Sequence, residues 1–124
     1  MDISLIGIRN AGESRERLLI RVVNDCNLRG YMVIDNTYDE NGTLSNVRRH
    51  VYVFPDCDVT KGDIVRLYTC KGKDKATEGT FGRTERVIYH NFYWGFDEDC
   101  TVWNKEGDTP YILHYDEVVP DDFR

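Results

Sequence analysis

Three histidines and four cysteines are the side chains of this chain best suited to proton transfer, nucleophilic attack or soft-metal ligation. His50, His90 and His114 are scattered and show no ligand spacing. Cys26, Cys57, Cys70 and Cys100 contain no CxxC pair, the close pair that structural zinc sites usually supply. A cysteine nucleophile needs a histidine beside it and a group that orients that histidine, and nothing in the linear order announces such a set. The G-x-S-x-G, H-E-x-x-H and phosphate-loop patterns are absent as well. No catalytic residue is therefore expected. A cysteine-based or metal-assisted enzyme is the alternative, and only folding could assemble it.

Two further groups of residues carry chemistry of another kind. The run Asp97-Glu98-Asp99 offers oxygen ligands, as do Asp35, Asp39 and Glu40. Calcium takes several oxygens from flexible loops, so Asp97, Glu98 and Asp99 are the candidate metal residues. No EF-hand spacing accompanies them, and a solvated acidic loop is the simpler reading. The second group is the aromatic run Tyr89-His90-Asn91-Phe92-Tyr93-Trp94-Gly95-Phe96. In a strand, alternate side chains face opposite sides. Tyr89, Asn91 and Tyr93 then share one face, exposed or partly exposed, and His90, Phe92, Trp94 and Phe96 share the other, facing the core. Tyrosines beside arginines are typical of protein-binding patches, so Tyr89, Asn91, Tyr93, Arg83 and Arg86 form the candidate binding set. The competing reading is that a loop or strand covers that face. Trp94 and Trp103 read first as core residues. With Tyr93 they also admit carbohydrate stacking.

Charge narrows the partners. The net charge of -6 repels phosphate backbones and disfavours general nucleic-acid binding. Lys61, Arg66, Lys71, Lys73 and Lys75 are interleaved with Asp63, Asp74 and Glu78, which reads as a solvated hairpin of mixed charge. The start Met1-Asp2-Ile3-Ser4 has neither a basic nor an apolar leader region, and no apolar run approaches membrane-spanning length. A cytoplasmic protein with reduced, mostly buried thiols is the expectation. A secreted mature form is the alternative, in which the four cysteines would allow three disulfide pairings.

The elements that must position these residues are short strands. Ile3–Ile8, Arg17–Asn24, Tyr31–Asp35, Arg49–Phe54, Ile64–Cys70, Val87–Trp94, Thr101–Asn104 and Tyr111–Tyr115 are apolar or alternating, with Gly, Pro, Asn and Asp between them. Regularly spaced short strands predict a sandwich or barrel. One segment is ambiguous. Leu18, Leu19, Val22 and Val23 fall at helical spacing behind a candidate N-cap, Ser14, while Ile20, Val22 and Val23 are β-branched and favour a strand. With 124 residues the chain suits one domain, placed at residues 1–118, followed by a short tail over residues 119–124.

Landmarks recur in an order that resembles a known family. Leu28, Gly30 and Tyr31 form L-x-G-Y; Tyr52, Phe54 and Pro55 form Y-x-F-P. Thr60-Lys61-Gly62-Asp63 precedes the strand from Ile64, and Tyr93-Trp94-Gly95, Val102-Trp103-Asn104, Gly107-Asp108 and Leu113 follow. The order is similar to the lamin-tail domain, over roughly Ile3 to Val118. The resemblance implies an all-β, immunoglobulin-like β-sandwich that works as a non-catalytic interaction module, with a protein partner. A homo-oligomeric structural protein, or a carbohydrate- or calcium-binding sandwich, are the alternatives. The insert Asp39–Val47 is longer and more polar than the family suggests, and no rod segment is present, so lamin-like assembly is not implied.

Overall fold

The computed structural model describes residues 1–36, 50–97, 101–103 and 108–117. Ten strands run through them: β1 (Ile3–Arg9), β2 (Arg17–Val22), β3 (Cys26–Asn27), β4 (Tyr31–Asn36), β5 (Val51–Val53), β6 (Asp58–Val59), β7 (Ile64–Cys70), β8 (Lys75–Phe81), β9 (Glu85–Phe96) and β10 (Thr109–His114). No helix occurs among the described residues, so the chain is all-β there. A five-stranded sheet has the order β1-β2-β7-β9-β8, a three-stranded sheet the order β10-β4-β5, and β3 and β6 form a short pair.

The two larger sheets pack face to face, as in a sandwich. Leu18, Ile20 and Val22 of β2, Val65 and Leu67 of β7 and Phe92 of β9 meet Tyr31 and Val33 of β4 and Phe54, with Leu28, Val59 and Trp103 closing the sides. Strand alternation explains the division: Leu18, Ile20 and Val22 of β2 and Val65 and Leu67 of β7 face the small sheet, while Arg17, Leu19 and Arg21 of β2 and Arg66 of β7 take the opposite side. The ambiguous segment is thereby a strand. β2 is hydrogen-bonded on one side to β1 and on the other to β7, and Asn10 and Arg15 take left-handed φ values of 55° and 62° in the turn before it. Ser14 caps no helix, since a central strand with two partners and a buried face outweighs a four-residue helical coincidence.

Two expectations are corrected. Residues 75–81, which stand outside the expected strands, form edge strand β8, antiparallel to β9 in the register Lys75↔Asn91 to Phe81↔Glu85. An edge strand with one solvated face needs few apolar residues, so its hydropathy resembles that of a loop. Thr101–Trp103, read as strand, is irregular backbone anchored by a side chain. The Glu16 carboxylate, 1% exposed, accepts the N–H groups of Gly12 (2.7 Å), Val102 (2.7 Å) and Trp103 (3.2 Å). A buried carboxylate costs several kcal/mol unless its lone pairs are filled, and three backbone donors fill them here. The insert 39–47 and the tail 119–124 lie outside the described residues, as does Asn104. No helix among the described residues is long and apolar enough to cross a membrane.

Candidate functional site

β7 and β9 run parallel, and this pairing builds the outer face of the large sheet. Its register sets Ile64 beside Tyr89, Arg66 beside Asn91 and Tyr68 beside Tyr93. Across β7, Arg17 faces Tyr68 and Leu19 faces Arg66; across β2, Arg9 faces Arg17. The outward positions of four adjacent strands thus hold a row Arg9, Arg17, Tyr68, Tyr93 and a row Leu19, Arg66, Asn91.

The tyrosines and arginines are layered. Tyr68 and Tyr93 stack with ring centroids 5.0 Å apart and 11° between planes. The guanidiniums of Arg15 and Arg17 lie 5.0 and 5.8 Å from the Tyr68 centroid. Arg66 lies 3.8 Å above the Tyr89 ring, close enough for strong cation–π attraction. Its Nε donates to Asn91 Oδ1 at 2.6 Å and one terminal nitrogen donates to Thr77 Oγ1 at 3.4 Å. Asn91 in turn donates to the Lys75 carbonyl and to Thr77 Oγ1, both at 3.1 Å, and Tyr89 donates its hydroxyl proton to the Thr80 carbonyl at 2.6 Å. Arg66 is thus held flat by stacking and by a fixed acceptor.

Arg21 meets Glu85 at 3.2 Å, but Arg9, Arg15, Arg17 and Arg66 have no carboxylate within ion-pair distance among the described residues. Arg9 and Arg17 are direct cross-strand neighbours, an arrangement that by itself is repulsive. Arg9, Arg17, Leu19, Arg66, Phe81, Gly82 and Tyr89 line a hollow of about 340 Å³. An apolar, aromatic floor ringed by three guanidiniums is chemically suited to a planar anion such as a carboxylate, which takes arginine's paired donors in bidentate fashion.

The expected binding set is brought together only in part. Tyr89, Asn91 and Tyr93 do share one face. Tyr89 and Asn91 are not the exposed surface, however, being 9% and 3% exposed beneath Arg66 and the edge strand β8. Tyr93 is partly exposed. Arg83 is exposed in the turn between β8 and β9, and exposed Arg86 alternates onto the opposite side from Tyr89, lining a separate hollow with Lys61, Asp63 and Glu78. The arginines that accompany the tyrosines are Arg17 and Arg66. Arg66 was read as part of a solvated, mixed-charge hairpin, and its adjacency to the tyrosines depends on which strands pair.

The other candidates are placed as follows. Asp97 is exposed and salt-bridged to Lys71 at 2.8 Å, whereas Glu98 and Asp99 lie outside the described residues. No group of three metal-ligating side chains occurs among the described residues. Trp103 is 3% exposed, and Trp94 packs against it with centroids 5.9 Å apart, so both indoles belong to the core as expected. Cys26, Cys57 and Cys70 are free thiols; Cys100 lies outside the described residues. His50 is bonded to Asp35, both through its backbone N–H and through Nδ1 at 3.1 Å, and His114 stacks on Tyr31 at 4.3 Å. His90 is bonded to Asp63, and Cys57 lies beside it. Sequence order gave no sign of these pairings. Compared with protein-family models, curated proteins and solved structures, the chain matches none.

Proposed function

We propose that this chain is a protein-recognition module whose docking surface is the arginine–tyrosine face of the large sheet, and that its partner presents an acidic segment. The observation that carries this reading is the set of guanidiniums at Arg9, Arg17 and Arg66 around an aromatic floor, without carboxylate partners among the described residues. Arginine and tyrosine are the residues most often dominant in protein interfaces, because they give large contact area and directional donors at low entropic cost. A short acidic segment fits better than a long polyanion, since the patch is small and the chain as a whole is acidic.

Calorimetric titration with a glutamate-rich peptide at low and physiological salt tests it. Arg9→Glu combined with Arg17→Glu should weaken binding at least about tenfold, equivalent to about 1.4 kcal/mol. Arg83→Glu in the β8–β9 turn and Arg86→Glu on the opposite side of β9 should change it far less. Equal losses from both pairs would sink the assignment of the face, and no binding at low salt would sink the acidic partner.

For the architecture, the lamin-tail type is proposed on the order of its landmarks. Leu28 and Tyr31 are buried core residues, Gly30 has φ +99° with the Tyr115 carbonyl 3.1 Å from where a Cβ would sit, and Thr60–Asp63 is a turn closed by an Asp63 N–H to Thr60 carbonyl bond of 2.9 Å. The parallel β7–β9 pair stands outside the antiparallel sheets from which immunoglobulin sandwiches are built.

A second reading, self-association, is favoured by the outer face of the small sheet. Met32 and Val53 are cross-strand partners, as are Ile34 and Val51, and Leu113 pairs with Met32 from the other side. Val51, Val53 and Leu113 are 51%, 53% and 43% exposed. These five side chains carry no charge of either sign, so the face complements a second copy of itself, unlike the arginine face. Sedimentation velocity decides: a concentration-dependent dimer abolished by Val53→Lys supports it, and a monomer at all concentrations removes it.

A further inference from the structure

We infer that Cys57, His90 and Asp63 form a thiol nucleophile centre that accepts an acyl group from a small ester or thioester carrying a cationic group. The site is separate from the arginine face and does not depend on it. Cys57 Sγ lies 4.0 Å from His90 Nδ1, and His90 Nε2 lies 2.8 Å from Asp63 Oδ2. This is the nucleophile–base–orienting carboxylate order that activated cysteines require, and resting-state distances between thiol and imidazole are commonly long.

Each member is positioned by the fold. His90 is on the inward side of β9, with its side chain 13% exposed. Asp63 ends the Thr60–Asp63 turn, where the same Oδ2 also accepts the Thr60 N–H at 2.9 Å, so its carboxylate cannot swing away from the imidazole without breaking the turn. Cys57 is held by Asn27, whose Oδ1 accepts the Cys57 N–H at 3.2 Å while its Nδ2 donates to Asp56 and Asp58 at 2.6 and 2.9 Å. A hollow of about 250 Å³ opens at Cys57 and His90, bordered by Pro55, Asp74, Ala76 and Phe92. That volume suits a small acyl group rather than a folded substrate.

The charges around the thiol select the substrate. Burial, and then Asp58, Asp56, Asp63 and Asp74, hold the Cys57 thiol above its ordinary range. The resting group is therefore the neutral thiol, and His90 must take its proton during attack. The same carboxylates attract a cationic substrate, which offsets their effect on the thiolate as it binds. In the acylation step Sγ bonds to the carbonyl carbon while its proton passes to His90 Nδ1. The leaving oxygen or sulfur departs with that proton. Water then gives a proton to His90 and bonds to the acyl carbon, and the released thiolate recovers the proton, leaving a carboxylic acid. Asp63 is a positioning residue that keeps Nε2 protonated and Nδ1 free to accept.

The test uses 4-nitrophenyl acetate and the 4-nitrophenyl ester of lysine, following nitrophenolate release and the acylated residue by peptide mass spectrometry. Cys57 should be acylated in preference to Cys26 and Cys70, and faster by the cationic ester. His90→Ala should slow Cys57 acylation about a hundredfold, with added imidazole restoring part of the rate. Asp63→Asn should slow it in the presence of His90 and have no effect in the His90→Ala background, a non-additivity that a folding defect would not produce. His90→Gln, which keeps the polar contact to Asp63, serves as a second variant if His90→Ala does not fold. Acylation of Cys57 no faster than of Cys26 or Cys70, or a rate unaffected by either His90 variant, overturns the proposal.

Discussion

Replacing Glu16 with Gln removes one charge and one acceptor from a site that leaves no room for adjustment. In the native chain Oε1 accepts from Val102 at 2.7 Å and Oε2 from Gly12 at 2.7 Å, with the Trp103 N–H shared between them at 3.3 and 3.2 Å. Hydrogen bonds to a charged acceptor contribute about 1.5–3 kcal/mol each, roughly twice a neutral one. The glutamine amide oxygen can keep one of the short bonds, weakened by loss of charge, while its NH2 group faces the other backbone donor. The expected destabilisation is about 2–4 kcal/mol, and Glu16→Ala, which strands all three donors, should cost more than Glu16→Gln. Against a typical domain stability of about 5–15 kcal/mol this is a large fraction. Urea denaturation followed by tryptophan fluorescence reads it directly, because Trp103 is buried beside the carboxylate. The midpoint should fall with the slope unchanged. A Glu16→Gln loss below about 0.5 kcal/mol would show that these backbone donors are satisfied without the charge, refuting the reasoning.

Other perturbations follow from the same geometry. Gly72→Ala would put a Cβ 2.3 Å from the Tyr93 ring, so it should cost about 1–3 kcal/mol and disturb the Tyr68–Tyr93 stack, seen in thermal melts and near-ultraviolet dichroism. Arg66→Lys loses the flat contact with Tyr89 and the Nε bond to Asn91; about 1–2 kcal/mol of stability should go with it, and a denaturation midpoint equal to wild type would contradict the layered arrangement. Burial first, and nearby aspartates second, raise Cys26 and Cys57 above 9.0, and burial followed by Asp74 raises Tyr52 above 10.0. The folded chain then holds protons that the unfolded chain releases, so stability is complete below pH 9.0 and falls as pH rises beyond it. Denaturation midpoints across that window should show a decline that Tyr52→Phe flattens.

Much of the fold was legible in the linear chain because strand alternation is a local property. The alternation within the aromatic run Tyr89–Phe96 was readable, and punctuation by Gly, Pro, Asn and Asp marked most boundaries, whereas the apolar run Leu18-Leu19-Ile20 of β2 left helix and strand both open. Burial of Trp103 followed from its size and apolar body, and Tyr89, Asn91 and Tyr93 were correctly assigned to one face. Edge strand β8 escaped because one face is solvated, and the segment at Val102–Trp103 was misread because its order comes from a carboxylate 86 residues away.

What the sequence by itself determined is therefore the local pattern: which residues alternate, where the chain turns, and that its net charge is negative. Tertiary structure decided which strands lie side by side. The parallel β7–β9 pairing carries Arg66 onto Tyr89 and Asn91, and the contact of β9 with the turn at Thr60–Asp63 brings Asp63 to His90. Neither juxtaposition has a local signature, since any strand can pair with many others through the same backbone groups. The choice among them is made by the shared burial of whole faces, which no short stretch of sequence contains.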